Sequence, residues 1–158
     1  LPARSEMCIR DRPDDIRIVT SHDGLDVLCD GPEDGILLVA HGQLCAEALA
    51  AVDQLDSPVR VVSPRWSLPV CGGLIEEAAR ARAVVSVEDG LVVSGLGSHL
   101  ADALSQRGMW RPIRSLGIPQ RYLDHDSRSA IMAELGLDSR GIADAVSQLV
   151  AQLDGEYS

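Results

Sequence analysis

The sequence is short of aromatic side chains and of positive charge. Phenylalanine is absent and aromatic residues make up 3% of the chain, so few side chains are available for stacking on nucleic-acid bases. The chain has 14 lysine and arginine residues against 24 acidic ones, which gives a formal net charge of −10 at pH 7. Because such a chain repels phosphate groups and offers no basic face, nucleic acid is not expected as a partner.

Long apolar runs and paired cysteines are also missing. No apolar segment approaches the roughly 20 residues of a membrane-spanning helix, and no positively charged start precedes an apolar signal core. We therefore expect a cytoplasmic protein with no membrane partner. The cysteines lack CxxC spacing and are predicted to be free thiols: Cys8, Cys29, Cys45 and Cys71. Although His41 and Cys45 have i, i+4 spacing, no second ligand pair accompanies them, which favours a loop histidine and a core thiol over a zinc site.

The first dozen residues differ in character from the rest. Residues 1–12 read LPARSEMCIRDR, begin with leucine in place of methionine, and mix charges with no sustained apolar period. This segment is typical of sequence foreign to a natural protein, and we exclude it from the fold prediction. On this interpretation the natural protein continued upstream and the chain is a fragment.

From residue 36 onwards, strand-like apolar runs alternate with amphipathic helical patterns. ILLVA (36–40) is followed by helical spacing from Leu44 to Leu55 and then by VRVVS (59–63). Two further cycles pair GLIEEAARAR with AVVSVE and HLADALSQR with PIRSLGI. The alternation predicts an α/β fold of Rossmann-like, three-layer type, in which a mostly parallel sheet has helices on both faces.

The predicted domain covers residues 36–154, and a tail follows at 155–158. Residues 13–35 are predicted to form a linker and an entry strand or hairpin at the sheet edge, because two short apolar runs flank the turn-like SHDG. Residue type and position predict four helix ends: Ser98, Asp126 and Asp138 as N-caps, and Gly108 just beyond a helix.

Most of the distinctive polar and aromatic residues fall in loops that follow strands. These loops are His41-Gly42, SPRWSLP (63–69), EDGLVVSGLGS (88–98) and GIPQRYLDHD (117–126). Loops after parallel strands gather at the carboxyl edge of the sheet, where open α/β proteins place their sites, so this edge is predicted to be functional. Turn geometry alone would also put Gly, Pro and Asp here, and that alternative remains open.

The glycine-rich loop 88–98 could hold a phosphate at the start of the next helix. It lacks the third glycine of a dinucleotide fingerprint, and Glu88 and Asp89 at its entry oppose an anion. We favour the interpretation that Gly95 and Gly97 allow a tight backbone path while Ser98 caps the helix, with an anion site as the alternative.

Four other residues could carry chemistry. His125 lies between two aspartates and could act as an acid or base, but no partner nucleophile stands out. Cys71 could be a reactive thiol at a helix start, although an ordinary buried thiol is the commoner explanation. Arg65 and Trp66, between two prolines, could clamp a neighbour or an anion, or could pair with a carboxylate and plug the sheet edge.

Read in order, four segments resemble the C-terminal domain of the 1-deoxy-D-xylulose-5-phosphate synthase family. The segments are ILLVAHGQLCAEALAAV, VRVVSPRWSLPV, VVSVEDGLVVSGLGSHLADAL and LGIPQRYLDHDSRSAIMAELGLDSRGI, and the match covers roughly residues 24–153. The VEDG…GxGS type of loop is shared with the wider transketolase-like superfamily, whereas GIPQRYLDH and AELGLDSRGI point to the synthase.

The resemblance implies a transferase that uses thiamine diphosphate and magnesium to join the two-carbon unit of pyruvate to glyceraldehyde 3-phosphate, for isoprenoid, thiamine and pyridoxal synthesis. The family holds this cofactor in two preceding domains, so no catalytic, cofactor-binding or metal residue is assigned to this chain, and the fragment is expected to be inactive alone. Its implied role is to pack against the missing N-terminal domains and to support a homodimer. Contacts are predicted at Arg65, Glu88, Gly95, Gly97, Ser98 and His125.

Two residues depart from the pattern of that family. Ser94 stands where the family usually has glycine, and His41 stands where a small residue is more typical. Two other interpretations remain open: a freestanding α/β module that binds an anion or small molecule, and the equivalent domain of another thiamine-diphosphate enzyme.

Overall fold

The computed structural model describes residues 15–121 and 126–155, and within them a single mixed sheet forms the centre of the fold. Its strands are β1 (Thr20–His22), β2 (Leu25–Cys29), β3 (Ile36–Ala40), β4 (Val59–Pro64), β5 (Ala83–Leu91) and β6 (Ile113–Ile118). They lie side by side in the order β1-β2-β4-β3-β5-β6. The last four strands of the chain are parallel to one another, whereas β1 and β2 run antiparallel to their neighbours.

Helices cover both faces of this sheet. They are α1 (Leu44–Val52), α2 (Gly72–Arg80), α3 (Leu96–Gln106), α4 (Arg128–Glu134) and α5 (Ser139–Gly155). One apolar cluster joins α1 and α5 to one face, and a second joins α2 and α3 to the other. The predicted three-layer α/β fold is therefore confirmed. Across the two described ranges, no helix is long and apolar enough to cross a membrane.

The central strands are apolar along their whole length because both of their faces are covered. All five residues of β3 are buried: Leu38 and Ala40 pack towards α1, while Leu37 and Val39 pack towards α2. This explains why the sequence shows continuous apolar runs here in place of alternation.

A hairpin closes one edge of the sheet. β1 and β2 pair through a two-residue turn at Asp23 and Gly24, both with positive φ (40° and 78°), which is the geometry that Asp-Gly favours in tight hairpins. β2 then pairs with β4 in antiparallel register. Of the two arrangements predicted for this segment, the hairpin is the one that forms.

The helix ends confirm two of the predicted terminal residues and correct two. Gly108 has a φ of 69° just beyond α3, and Asp138 accepts a hydrogen bond from the Gly141 N–H at 2.8 Å. Ser98 is not an N-cap, because α3 begins at Leu96 and its cap residue is Gly95. The N-cap of α4 is Ser127, one residue after Asp126, and its hydroxyl accepts from the Ala130 N–H.

A buried ion pair ties β4 to α2. Arg60 Nε donates to Glu77 Oε2 at 2.9 Å and Nη2 donates to Oε1 at 3.2 Å, so the pair is bidentate. The Glu77 side chain is 2% exposed. Asp30, which follows β2, also binds the Arg60 guanidinium. One guanidinium therefore connects the hairpin, the sheet and a helix.

Glu77→Ala is expected to lower the free energy of unfolding by about 3–5 kcal/mol, because it leaves the Arg60 charge buried without its main partner. Urea denaturation followed by circular dichroism measures this. The matched control is Glu76→Ala, an exposed neighbour on the same helix, which should change stability by no more than about 0.5 kcal/mol. Equal losses of stability in Glu77→Ala and Glu76→Ala would contradict the assignment of Glu77 as the main partner of the buried Arg60 charge.

Candidate functional site

The carboxyl edge of the sheet contains a crevice between β3 and β5. The chain leaves β3 for α1 on one face and leaves β5 for α3 on the other, so the two loops diverge and open a gap, as expected at a topological switch point. The gap has a volume of about 340 Å³. Its lining comes from the loops after β3 and β4, from the end of β5 and from the starts of α3 and α4: His41, Gly42, Gln43, Ser67, Glu88, Asp89, Gly90, Leu96 and Arg128.

Glu88 occupies the N-terminus of α3. Its Oε2 accepts a hydrogen bond from the Leu96 N–H at 2.8 Å, and its Oε1 accepts a longer one from the Gly97 N–H at 3.4 Å. A helix start binds anions through such free N–H groups and the helix dipole. Here the anion is a side chain of the same domain, so the glycine-rich loop serves an internal carboxylate in place of a phosphate.

Glycine is required at positions 95 and 97 because neighbouring side chains approach the backbone too closely for a Cβ. A Cβ added at Gly95 would lie 2.4 Å from Glu88 Oε1, and one at Gly97 would lie 2.1 Å from Ser115 Oγ and 2.4 Å from Ser86 Oγ. The two serine hydroxyls hydrogen-bond each other at 3.1 Å across β5 and β6. Gly95 therefore makes room for the carboxylate, and Gly97 lets α3 lie directly on the sheet, which agrees with the predicted tight backbone path.

Ser94 adopts the backbone conformation that glycine favours. Its φ of 62° is left-handed, a region that costs an ordinary residue roughly 1 kcal/mol. Glycine at this place would carry no such cost. The departure noted from sequence therefore corresponds to a locally strained turn just before α3.

Asp89 forms a second link across the crevice. Its carboxylate accepts a hydrogen bond from Arg128 Nη2 at 2.6 Å, and the same nitrogen lies 3.4 Å from Gln43 Oε1. The end of β5 is thereby joined to the start of α4 and to the loop before α1. Sequence reasoning missed Arg128 and Gln43, since neither belongs to a recognisable motif and Arg128 is 39 and 85 positions from its partners.

Arg65 and Trp66 contact the β1–β2 hairpin at the edge of the sheet. Arg65 Nε donates to Asp26 Oδ1 at 3.1 Å, and that carboxylate also accepts from the Ser21 hydroxyl. Trp66 packs on Gly24, where a Cβ would come within 2.6 Å of the ring. Of the roles predicted for this segment, pairing with a carboxylate and plugging the sheet edge are the ones observed; the Arg65 side chain remains 44% exposed.

The other candidate residues lie at separate places. The Ser98 hydroxyl donates to the Val92 carbonyl at 3.3 Å. His41 lies in the loop before α1, so it does not share a helix face with Cys45. Its Nε2 is 3.3 Å from Ser67 Oγ. His125 lies outside the described residues.

Two cysteines are core thiols. Cys45 is fully buried and its Sγ hydrogen-bonds Ser63 Oγ at 3.4 Å. Cys71 is the cap residue of α2 and is 5% exposed. Burial raises the pKa of the Cys71 thiol, which lowers the thiolate fraction at neutral pH and favours the ordinary buried thiol over a reactive one.

The described residues do not fit a magnesium and thiamine diphosphate group. Among residues 15–121 and 126–155, no three His, Cys, Asp or Glu side chains are placed to hold a metal ion. The N–H groups at the start of α3, where this architecture would bind a diphosphate, already bind Glu88. No catalytic step is therefore assigned to these residues.

Apolar side chains stand exposed around the same edge. Leu68 follows β4, Leu91 ends β5, and Val93 lies in the next loop, with exposures of 50%, 51% and 58%. Large apolar residues gathered around one site are typical of a surface that contacts other protein.

Comparison with known proteins places the chain in one family. Residues 25–142 match the family described as transketolase, C-terminal domain. The chain is 43% identical over 141 residues to 1-deoxy-D-xylulose-5-phosphate synthase 2 of Streptomyces avermitilis and 44% identical over 140 residues to that of Streptomyces coelicolor. Each alignment covers 85% of this chain, and the chain spans 22% of the length of each relative.

A solved structure titled as a split-gene transketolase, an inactive beta4 tetramer, shares the fold. It superposes with a TM-score of 0.66 at 30% identity, over 82% of this chain and 42% of that chain. A transketolase from Campylobacter jejuni superposes with a TM-score of 0.52 at 16% identity, over 84% of this chain and 20% of that chain, which supports the fold alone.

Gly97→Ala is expected to destabilise the chain by about 1–3 kcal/mol, because the new methyl group would overlap the Ser86 and Ser115 hydroxyls. Adding Ser86→Ala and Ser115→Ala should recover much of that loss, since the methyl group then occupies the vacated space. Thermal unfolding measures both effects. Gly90→Ala is the control, because no atom lies within 4 Å of its added Cβ. Additive losses in the triple variant would contradict the packing argument.

Glu88→Ala is expected to cost about 1 kcal/mol, as for the loss of a helix cap, and to create an anion site at the start of α3. Inorganic phosphate should then raise the unfolding temperature of the variant more than that of the unchanged chain. Asp89→Ala is the matched control, because Asp89 binds Arg128 and leaves the N–H groups of α3 occupied. Equal stabilisation of the unchanged chain by phosphate would favour the anion-binding alternative.

Proposed function

Because the chain belongs to the transketolase C-terminal domain family, we propose that it is the C-terminal domain of a 1-deoxy-D-xylulose-5-phosphate synthase. The observation that carries the proposal is identity of 43% and 44% over 85% of the chain to two proteins of that name. The corresponding activity, as the sequence resemblance implies, is condensation of pyruvate with glyceraldehyde 3-phosphate by a cytoplasmic enzyme. This chain spans about a fifth of such a protein and contributes one domain of it.

The role proposed for the domain is mechanical support of a site held elsewhere. Thiamine diphosphate and magnesium are assigned to other parts of the longer enzyme, because the described residues here present neither a metal cluster nor an open diphosphate site. The domain alone is therefore inactive in this proposal. The same carboxylate that fills the α3 N-terminus argues against the alternative of a freestanding anion-binding module.

The carboxyl edge is proposed to dock on the rest of the enzyme and to support its homodimer. The exposed side chains of Leu68, Leu91 and Val93 supply apolar contact area. Glu88, Gly95 and Gly97 shape the loop from inside, so their contribution to docking is to hold its backbone in position. It remains a prediction that Arg65, Ser98 and His125 contact the rest of the enzyme.

A chimera tests this proposal. The region of the Streptomyces avermitilis enzyme that aligns with this chain is replaced by residues 15–155, and product formation from pyruvate and glyceraldehyde 3-phosphate is measured with thiamine diphosphate and magnesium. The chimera is expected to be active, whereas the 158-residue chain alone is expected to give no product. Turnover by the chain alone, or an unstable and inactive chimera, would oppose the proposal.

The docking surface is tested in the same chimera. Leu91→Asp with Val93→Asp is expected to lower its activity and its unfolding temperature, because two charges would face the docked polypeptide. The matched control is Trp110→Asp: Trp110 is 78% exposed and precedes β6 at the opposite end of the sheet. Loss of activity in Trp110→Asp alone would indicate that the docking surface lies at the opposite end of the sheet.

A further inference from the structure

A second cavity lies at the amino end of the sheet, where β6 begins. Its volume is about 510 Å³, within the range of small-molecule sites. Apolar side chains from α3, from the connection after it, from β6 and from α5 form much of its wall: Leu104, Met109, Trp110, Ile113 and Leu149. Because Trp110 is 78% exposed, most of its aromatic surface is uncovered.

The first of two guanidinium groups that line this cavity belongs to Arg111. It donates to the carbonyls of Ala79 and Ala81 at the C-terminal end of α2, and to the carbonyl of the residue before it. A positive charge is favourable at this end of a helix. A guanidinium has five N–H groups and these contacts use three of them, so two remain for a ligand.

Arg114 supplies the second guanidinium group of the cavity. Its Nη1 donates to the Ala145 carbonyl at 3.2 Å and its Nη2 donates to the Gln152 amide oxygen at 2.6 Å, both on α5. These contacts fix the group along the helix and leave three of its N–H groups for a ligand. Both arginines are half-buried, so an anion bound to them is partly shielded from water, which strengthens the attraction.

Neither guanidinium of the cavity meets a carboxylate. Within residues 15–121 and 126–155, six other arginines do form an ion pair: Arg60, Arg65, Arg80, Arg82, Arg121 and Arg128. The partners of Arg111 and Arg114 are neutral oxygens, although acidic residues outnumber basic ones by 24 to 14 in the chain. Two positive charges therefore lie beside an apolar wall with no negative charge of the described residues paired to them.

We propose that this cavity binds a small carboxylate that carries an apolar body, of the aryl-alkyl acid class. The carboxylate accepts hydrogen bonds from the remaining N–H groups of Arg111 and Arg114, because its two oxygens match the guanidinium fork. The apolar body packs on Trp110, Ile113 and Leu149 and so removes apolar surface from water. The inference goes beyond the proposed function, because this cavity lies at the opposite end of the sheet from the docking edge.

Titration of the isotope-labelled 158-residue chain with 4-phenylbutyrate, followed by amide and indole NMR, tests the proposal. Three matched probes are 4-phenylbutanol, which keeps the body without the charge, acetate, which keeps the charge without the body, and 4-phenylbutylammonium, which reverses the charge. Phenylbutyrate is expected to give saturable shifts at the Trp110 indole and at the Ile113 and Arg114 amides, and each matched probe is expected to bind about tenfold more weakly or less. Equal affinity of any matched probe, or no saturable phenylbutyrate shifts at these positions, would overturn the proposal.

Variants separate binding by the two guanidinium groups from a general charge effect. Arg111→Gln and Arg114→Gln are each expected to weaken phenylbutyrate binding about tenfold, equivalent to about 1.4 kcal/mol, whereas Arg114→Lys keeps the charge and should retain more of it. The matched control is Arg140→Gln, which removes the same charge from an exposed position on the first turn of α5.

The same spectra report whether each variant is folded. If Arg111→Gln unfolds because it loses its contacts to α2, Arg114→Gln decides. Unchanged affinity in a folded Arg114→Gln, or an equal loss of affinity in Arg140→Gln, would show that the guanidinium groups of the cavity do not hold the carboxylate.

Discussion

The carboxylate of Glu88 on the first N–H groups of α3 is the contact on which the carboxyl edge depends. It fixes where the helix begins, and it requires Gly95 to have no side chain, because a Cβ there would overlap the carboxylate. It also satisfies backbone donors that would otherwise attract an external anion. The local geometry of the loop and the occupation of these backbone donors thus have the same physical cause.

Asp89, the next residue along β5, fixes the other wall of the crevice. Adjacent residues of a strand point to opposite sides, so Glu88 and Asp89 reach different partners: the start of α3 for Glu88 and Arg128 of α4 for Asp89. Two consecutive carboxylates thereby position segments on both sides of the switch point. The crevice is a product of this arrangement, and both carboxylates in its walls accept hydrogen bonds from groups of the chain itself.

The buried strands and the hairpin could be predicted from sequence because the features that specify them are local. A five-residue apolar run such as 36–40 is long enough for a buried strand, and the Asp23-Gly24 pair specifies a tight hairpin. Serine is a common N-cap, which is why the sequence predicts Ser98 as the cap of α3. In the structure the acceptor is instead Glu88, eight residues before Leu96, whose N–H it binds. Arg128 and its distant partners could not be predicted, since no short-range pattern connects them.

The hairpin has a consequence for trimming the domain. The family match begins at residue 25, inside the sheet, and so leaves out β1, whose backbone pairs with β2. A recombinant version cut at that boundary would turn β2 into a bare edge strand and remove Ser21, which bonds Asp26. Bare edges recruit other chains and promote aggregation. Soluble expression of the domain therefore calls for a start ahead of Thr20, in the region that similarity alone would discard.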